Sequence, residues 1–153
     1  MFEKQGGKWV NKVDQRNLAS MGSYGVAGER KPVQWGSHAY GLLVNDGWGG
    51  YGQFTSFQNL HGFENGSFRH IFNIQLSDTN GASLNPEKYG WDAEWKFGPP
   101  APNGIFDMVV RLKPGNSYPK EPGNRKGVPV QGVYRYDGTV YKHLVKHVSL
   151  GPE

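Results

Sequence analysis

The chain has 153 residues, no cysteine, 23 glycines, 10 prolines and a formal net charge of +4, with aromatic residues at 14% and charged residues at 20%. The lack of cysteine excludes zinc fingers, iron–sulfur clusters, thiol nucleophiles and disulfide frameworks. Many rings, few charges and many turn formers predict one all-β domain of short strands rather than a disordered chain. No apolar run approaches the roughly 18 residues of a membrane-spanning helix, so membrane insertion is not expected. Met1-Phe2-Glu3-Lys4 does not open like a signal peptide, so the expectation is either that export does not follow the ordinary secretory route or that the sequence is an internal fragment carrying an added Met. The positive charge favours an anionic partner (an acidic or phosphorylated glycan, nucleic acid, anionic lipid) and equally describes a plain solvated basic surface.

Residues 1–20 read as an N-terminal arm or connector, polar apart from Trp9, Val10 and Val13, and 9–13 fits either a strand or one helical turn. Residues 21–153 read as a single β domain. Its first firm strand is expected at Gly22 to Ala27. Gly28 to Pro32 reads as an exposed loop, because Pro32 holds Lys31 extended and ends pairing there. Tyr40 to Asn45 reads as a buried strand, since Leu42-Leu43-Val44 suits an element covered on both faces. Asn45-Asp46-Gly47 has turn chemistry, continuing into Gly47-Trp48-Gly49-Gly50, and Tyr51 to Phe57 alternates as the antiparallel return.

Glu64-Asn65-Gly66 marks the next hairpin, Asn-Gly being the strongest short hairpin signal. Beyond it Phe68, His70, Phe72, Ile74 and Leu76 fall on one face, with Arg69, Ile71, Asn73 and Gln75 on the other. Ser77 to Lys88 reads as a long polar loop. Trp91, Ala93, Trp95 and Phe97 share a face, where the tryptophans either pack or form an aromatic platform. Gly98 to Gly104 reads as a rigid proline-rich crossover, and Gly104 to Leu112 as the most apolar strand. Lys113 to Gly127 reads as a second long loop with a basic excess. Val133 to Tyr136, an Asp137-Gly138 turn and Thr139 to Val148 predict a terminal hairpin.

Catalytic signatures are weak. His143 and His147 would share a helix face as in zinc proteases, but the intervening glutamate is missing. On a strand they would lie about 13 Å apart, too far for one ion. Asp78-Thr79-Asn80-Gly81 starts like a calcium loop whose later ligands do not follow. Asp92, Glu94 and Asp107 offer carboxylates for a glycan hydrolase, although such pairs normally come from distant segments. Neither a nucleophile elbow nor a phosphate loop is present. No catalytic residue, metal ligand or cofactor is therefore assigned. Trp35, Trp48, Tyr51, Trp91 and Trp95 suit either a small β core or stacking on sugar rings. Trp48 is the best surface candidate, because its glycine neighbours let a ligand approach the backbone. Tyr134, Arg135, Tyr136, Tyr141 and Lys142 interleave rings and charge in a manner that also suits single-stranded nucleic acid.

An ordered series runs from Trp9 through Asp14–Leu18, Gly22-Ser23-Tyr24-Gly25-Val26, Pro32, Tyr40-Gly41-Leu42-Leu43-Val44, Gly47-Trp48-Gly49-Gly50-Tyr51, Gln53-Phe54 and Phe68-Arg69. Over about residues 9–75 it resembles the knob repeat of phage tail fibres and R-type pyocin fibres. In that family a Gly-x-Trp-x-x-Trp segment follows the arginine strand closely, whereas Gly90-Trp91-Asp92-Ala93-Glu94-Trp95 comes here after an inserted loop. The resemblance implies an antiparallel β-sandwich or knob-like domain with long loops, intertwined as a homotrimer at the tip of a virion tail or similar extracellular particle. Its partner would be a bacterial surface glycan such as lipopolysaccharide, or an outer-membrane protein. Contact is expected from Trp48, Tyr51 and His61 near the glycine turn, and from Lys113, Tyr118, Lys120, Arg125 and Lys126 on the basic loop. The alternatives are a small nucleic-acid-binding β-domain, a structural virion component, or a glycan hydrolase.

Overall fold

The computed structural model describes residues 2–11, 28–50, 53–80, 90–113 and 131–144. The described chain is all-β, as its composition leads one to expect. Strand β1 (Phe2–Gln5) pairs with β2 (Lys8–Asn11) in a two-stranded sheet of its own. Gly6 and Gly7 link them at φ 55° and 82°, the left-handed pair that a tight hairpin turn requires. Of the two conformations open to residues 9–11, the strand is the one adopted.

The remaining strands are β3 (Arg30–Gln34), β4 (Tyr40–Gly50), β5 (Gln53–Glu64), β6 (Ser67–Asn80), β7 (Trp91–Pro100), β8 (Phe106–Leu112), β9 (Gly132–Tyr136) and β10 (Tyr141–His143). They form one eight-stranded sheet in the order β10-β9-β8-β7-β6-β5-β4-β3, so each strand lies beside its predecessor. Every pairing is antiparallel.

The sheet curls over on itself. Among the described residues, strand β6 pairs with β7 only at Ser77↔Asp92 and Asp78↔Trp91. At the far edge, the segment after β3 returns to the start of β8: the Phe106 amide donates to the Trp35 carbonyl at 3.0 Å, and the Ser37 amide to that of Gly104 at 2.8 Å. Side chains of β6 thereby touch those of β9 and β10. The Phe72 ring lies 5.5 Å from Tyr134 and 5.6 Å from Tyr141, both edge-on. Trp35 meets Tyr136 edge-on at 5.0 Å, and its indole N–H donates to the Tyr40 carbonyl at 2.9 Å. Around these rings Leu60, Ile71, Ile74, Met108 and Val110 complete a buried cluster.

A register shift between Leu60 and His61 shapes that core. On the hairpin side, His61 faces His70 and Gly62 faces Arg69; beyond the shift, Leu60 faces Phe72. Ile71 is the extra residue, so both Ile71 and Phe72 are buried where simple alternation would bury one. Gly62 allows this packing, since a Cβ there would stand 2.7 Å from the Trp35 ring and 2.9 Å from Ile71.

Several expectations need correction. Asn45-Asp46-Gly47 is not a turn: β4 runs straight through it, pairing Asn45↔Gln58, Asp46↔Phe57 and Gly47↔Ser56. Long-range pairing over an 11-residue strand outweighs the local turn preference of those residues. Pro32 does not end pairing; it sits opposite Leu42 in the edge strand β3, where its missing N–H can face away from the ladder. Ser77 to Asn80 extend β6 rather than opening a loop. The segment after Gly98 is a hairpin connection, not a crossover: Pro100 pairs with Phe106, and the Ala101 amide donates to the Ile105 carbonyl at 2.7 Å. The Asn65-Gly66 hairpin stands as read, at φ 51° and 81°, and the β9–β10 hairpin turns at Asp137-Gly138, where the Asp137 carboxylate accepts from the Thr139 and Val140 amides. The strand expected at Gly22 to Ala27 lies outside the described residues.

Candidate binding site

Trp48 occupies the last turnward stretch of β4, opposite Thr55 on β5. Its side chain is 51% exposed, and the ring lies along the backbone at Gly50, where a Cβ would be 3.1 Å from it. A glycine at this position leaves room for the indole beside the backbone, and about half of the residue stays open to solvent. One residue along the pairing, Phe54 sits opposite Gly49 and is 63% exposed. Because successive side chains alternate, Trp48 and Phe54 point to opposite faces of the same hairpin end. The end of the β4–β5 ladder thus presents an aromatic ring on each side, held by paired backbone. The arrangement follows from the pairing of Gly47 to Gly50 with Gln53 to Ser56, in place of the turn expected at Gly47-Trp48-Gly49-Gly50.

The other tryptophans separate clearly. Trp35 is 1% exposed and Trp91 is also buried. Trp95 is half-buried against the core and donates its indole N–H to Gln58 at 2.6 Å. Trp91 and Trp95 therefore pack rather than form a platform.

His61 is not near Trp48. It pairs with Leu42 on β4, whereas Trp48 pairs with Thr55, so six residues of β5 put the two about 20 Å apart. His61 is 2% exposed, and neither ring nitrogen has a hydrogen-bond partner. Burial first, and the neighbouring His70 second, lower its basicity below the usual imidazole range. Lys113 is exposed at the end of β8, its amide donating to the Asp92 carbonyl at 3.0 Å. Tyr51, Tyr118, Lys120, Arg125 and Lys126 lie outside the described residues, as does His147. His143 packs edge-on to Tyr134 at 5.1 Å, with its Nε2 3.2 Å from the Gln131 carbonyl. Gly132, at φ 141°, leaves room for that imidazole.

Of the carboxylates considered for hydrolysis, Asp92 and Glu94 lie two residues apart on β7, and Asp107 stands away from both on β8. Asp107 is nearly buried and is held by Arg135 through two bonds, Nε to Oδ1 at 2.9 Å and Nη2 to Oδ2 at 2.7 Å. Glu94 lies across from Arg111, four residues along β8 from Asp107. That spacing corresponds to about 13 Å, beyond the roughly 5–9.5 Å of paired glycosidase carboxylates. A second polar knot joins the β5–β6 hairpin to β9. Tyr136 donates to Glu64 at 2.8 Å, while Arg69 Nη2 donates to the Tyr136 hydroxyl at 2.6 Å and to Glu64 at 2.5 Å. Burial and then the bond to Glu64 push the Tyr136 hydroxyl up to about 12.

With this geometry in view, comparison with protein-family models, curated proteins and solved structures finds no match for the chain.

Proposed function

We propose that the protein is a non-catalytic adhesion module, a receptor-binding tip of the phage tail-fibre type that attaches a particle to a bacterial surface glycan or outer-membrane protein. The observation that carries this reading is Trp48, a large ring left half-exposed on a rigid antiparallel ladder and laid over a glycine. An indole so placed presents an apolar face of the kind that stacks on the C–H side of a sugar ring. Strand pairing fixes its backbone before any ligand arrives, so little backbone ordering entropy is lost on binding. In this reading the two halves of the curled sheet act as the layers of a sandwich, and three chains associate. Lys113 and the basic loop it begins would face lipopolysaccharide phosphates. Three weak sites on one tip then act together, with avidity exceeding the single-site affinity by about 10²–10⁴.

Two measurements test it together. Light scattering of the intact chain should give the mass of a trimer, and the trimer should bind lipopolysaccharide-bearing vesicles or cells. A monomer, or a trimer that binds no bacterial surface, removes the adhesion reading.

A further inference from the structure

The face of the sheet opposite the aromatic core carries a polar cluster that the adhesion reading does not use. Its members are His61 and Asn59 on β5, and His70 and Asn73 on β6, with His61 facing His70 and Asn59 facing Asn73 across the ladder. Three of them are already linked: Asn73 Nδ2 donates to Asn59 Oδ1 at 2.7 Å, and His70 Nε2 stands 3.2 Å from the same oxygen. His61 is the exception. It is almost wholly buried, yet Nδ1 and Nε2 both lack a hydrogen-bond partner. An imidazole in that condition forgoes interactions that buried polar groups ordinarily make.

We infer that His61 and His70 form a two-histidine binding site for a divalent ion of the zinc, nickel or copper class, bridging β5 and β6 at the register shift. Imidazole is a suitable ligand for these ions. The spacing fits. With metal–nitrogen bonds of about 2.0–2.1 Å and each nitrogen about 1.1–1.2 Å from its ring centre, two imidazoles on one tetrahedral ion have centroids about 5.2 Å apart. The His61 and His70 centroids are 5.2 Å apart, with the rings inclined at 57°. His61 supplies a nitrogen that nothing else engages. His70, exposed at the surface, supplies the other and opens the site to ions from solution. Asn59 Oδ1, fixed by Asn73, lies within reach of His70 as a further oxygen donor or as its orienting partner. The bound ion would clamp the two strands where their regular pairing is interrupted.

The test is titration of the full chain, freed of metal by chelation, with zinc or nickel chloride in a calorimeter, alongside a thermal melt at each ratio. One equivalent should bind per chain and raise the melting temperature. His70→Gln, at an exposed position, should weaken that equivalent at least tenfold and abolish the melting shift. His143→Asn should leave both unchanged. Copper(II) bound at one equivalent should show nitrogen hyperfine structure from two imidazoles, reduced to one in His70→Gln. Failure to bind either ion at millimolar concentration, or binding that survives His70→Gln, overturns the proposal. The measurement requires no receptor, so its result is independent of the adhesion reading.

Discussion

Replacing Trp48 and Trp35 in turn by alanine separates a surface ring from a structural one, and the expected sizes differ. Trp48 is 51% exposed, so about half its area is covered. A buried aromatic covers about 150–250 Å², which leaves about 75–125 Å² for Trp48, or about 2–3 kcal/mol at ~25 cal/mol per Å². That is an upper bound, because the unfolded chain also covers part of this surface. Trp48→Ala should therefore cost about 1–2 kcal/mol, a fall of roughly 2–8 °C for a domain of this size. Trp35 is 1% exposed and packs on Tyr136, Tyr141 and Ile71's neighbour Gly62. Its truncation should cost about 3–5 kcal/mol for the cavity, and about 1 kcal/mol more for the Tyr40 carbonyl left without its indole donor. Against a total stability of about 5–15 kcal/mol, that change places the variant near the edge of folding.

The assay is a thermal melt of both variants followed by binding to lipopolysaccharide vesicles at a temperature where both controls are folded. A contact ring at the centre of an interface is worth about 2 kcal/mol or more, some thirtyfold in affinity. Trp48→Ala should keep its cooperative melt and lose binding by at least that factor. If Trp48→Ala unfolds as severely as Trp35→Ala, Trp48 is part of the core. If it melts normally and binds normally, the exposed indole is not the contact.

Two further outcomes follow from the polar pairs. The Tyr136 hydroxyl ionises at about 12 in the fold, above its ordinary value near 10, through burial and its bond to Glu64. A raised value means that its contribution is complete below about pH 10 and is lost as pH rises through about 12. The stability difference between wild type and Tyr136→Phe, measured by urea denaturation, should therefore shrink between pH 10 and 12; a constant difference would mean that burial and the Glu64 bond together do not raise the hydroxyl's ionisation. At the other pair, Asp107 is nearly buried while Arg135 remains half-exposed. Arg135→Ala leaves a buried carboxylate without its cation and should lower the melting temperature more than Asp107→Ala, with the double variant recovering part of the loss. Equal, additive losses would mean that the two side chains do not depend on each other.

How much of this was legible in the sequence depended on whether local chemistry and long-range pairing agreed. At Asn65-Gly66 they agree: the residues that favour a tight turn are followed and preceded by strands that pair in register, and the hairpin could be read directly. At Asn45-Asp46-Gly47 they disagree. The residues favour a turn, but Gln58, Phe57 and Ser56 supply pairing partners that only the folded sheet brings alongside. Reading a turn there also concealed Phe54, whose exposure depends on lying at the end of a continuous ladder rather than in a short return strand. Pro32 misled in the same way, because a proline forbids only a central position, and nothing local states that Arg30 to Gln34 forms the edge. Trp35 has a single glycine beside it while Trp48 is set among three; what buries Trp35 is the return of the chain at Gly104 to Phe106, 69 or more residues downstream of it.

The register shift at Leu60 and His61 joins the two results that sequence alternation could not supply. With regular pairing, a residue facing the core on one side of the shift would predict the same parity on the other. The extra residue, Ile71, breaks that parity, so Arg69 and Ile71 share the core-side face before it while Phe72 and Ile74 share it afterwards. Arg69 can therefore cross to Tyr136 on β9, and His70 is turned outward to stand beside His61. A strand without the extra residue would bury His70 beside Tyr134 and Tyr141, or expel Phe72 from them. The same irregularity that lets one sheet enclose an aromatic core thus assembles the histidine pair on its other face, and an ion bound there would hold the irregularity in place.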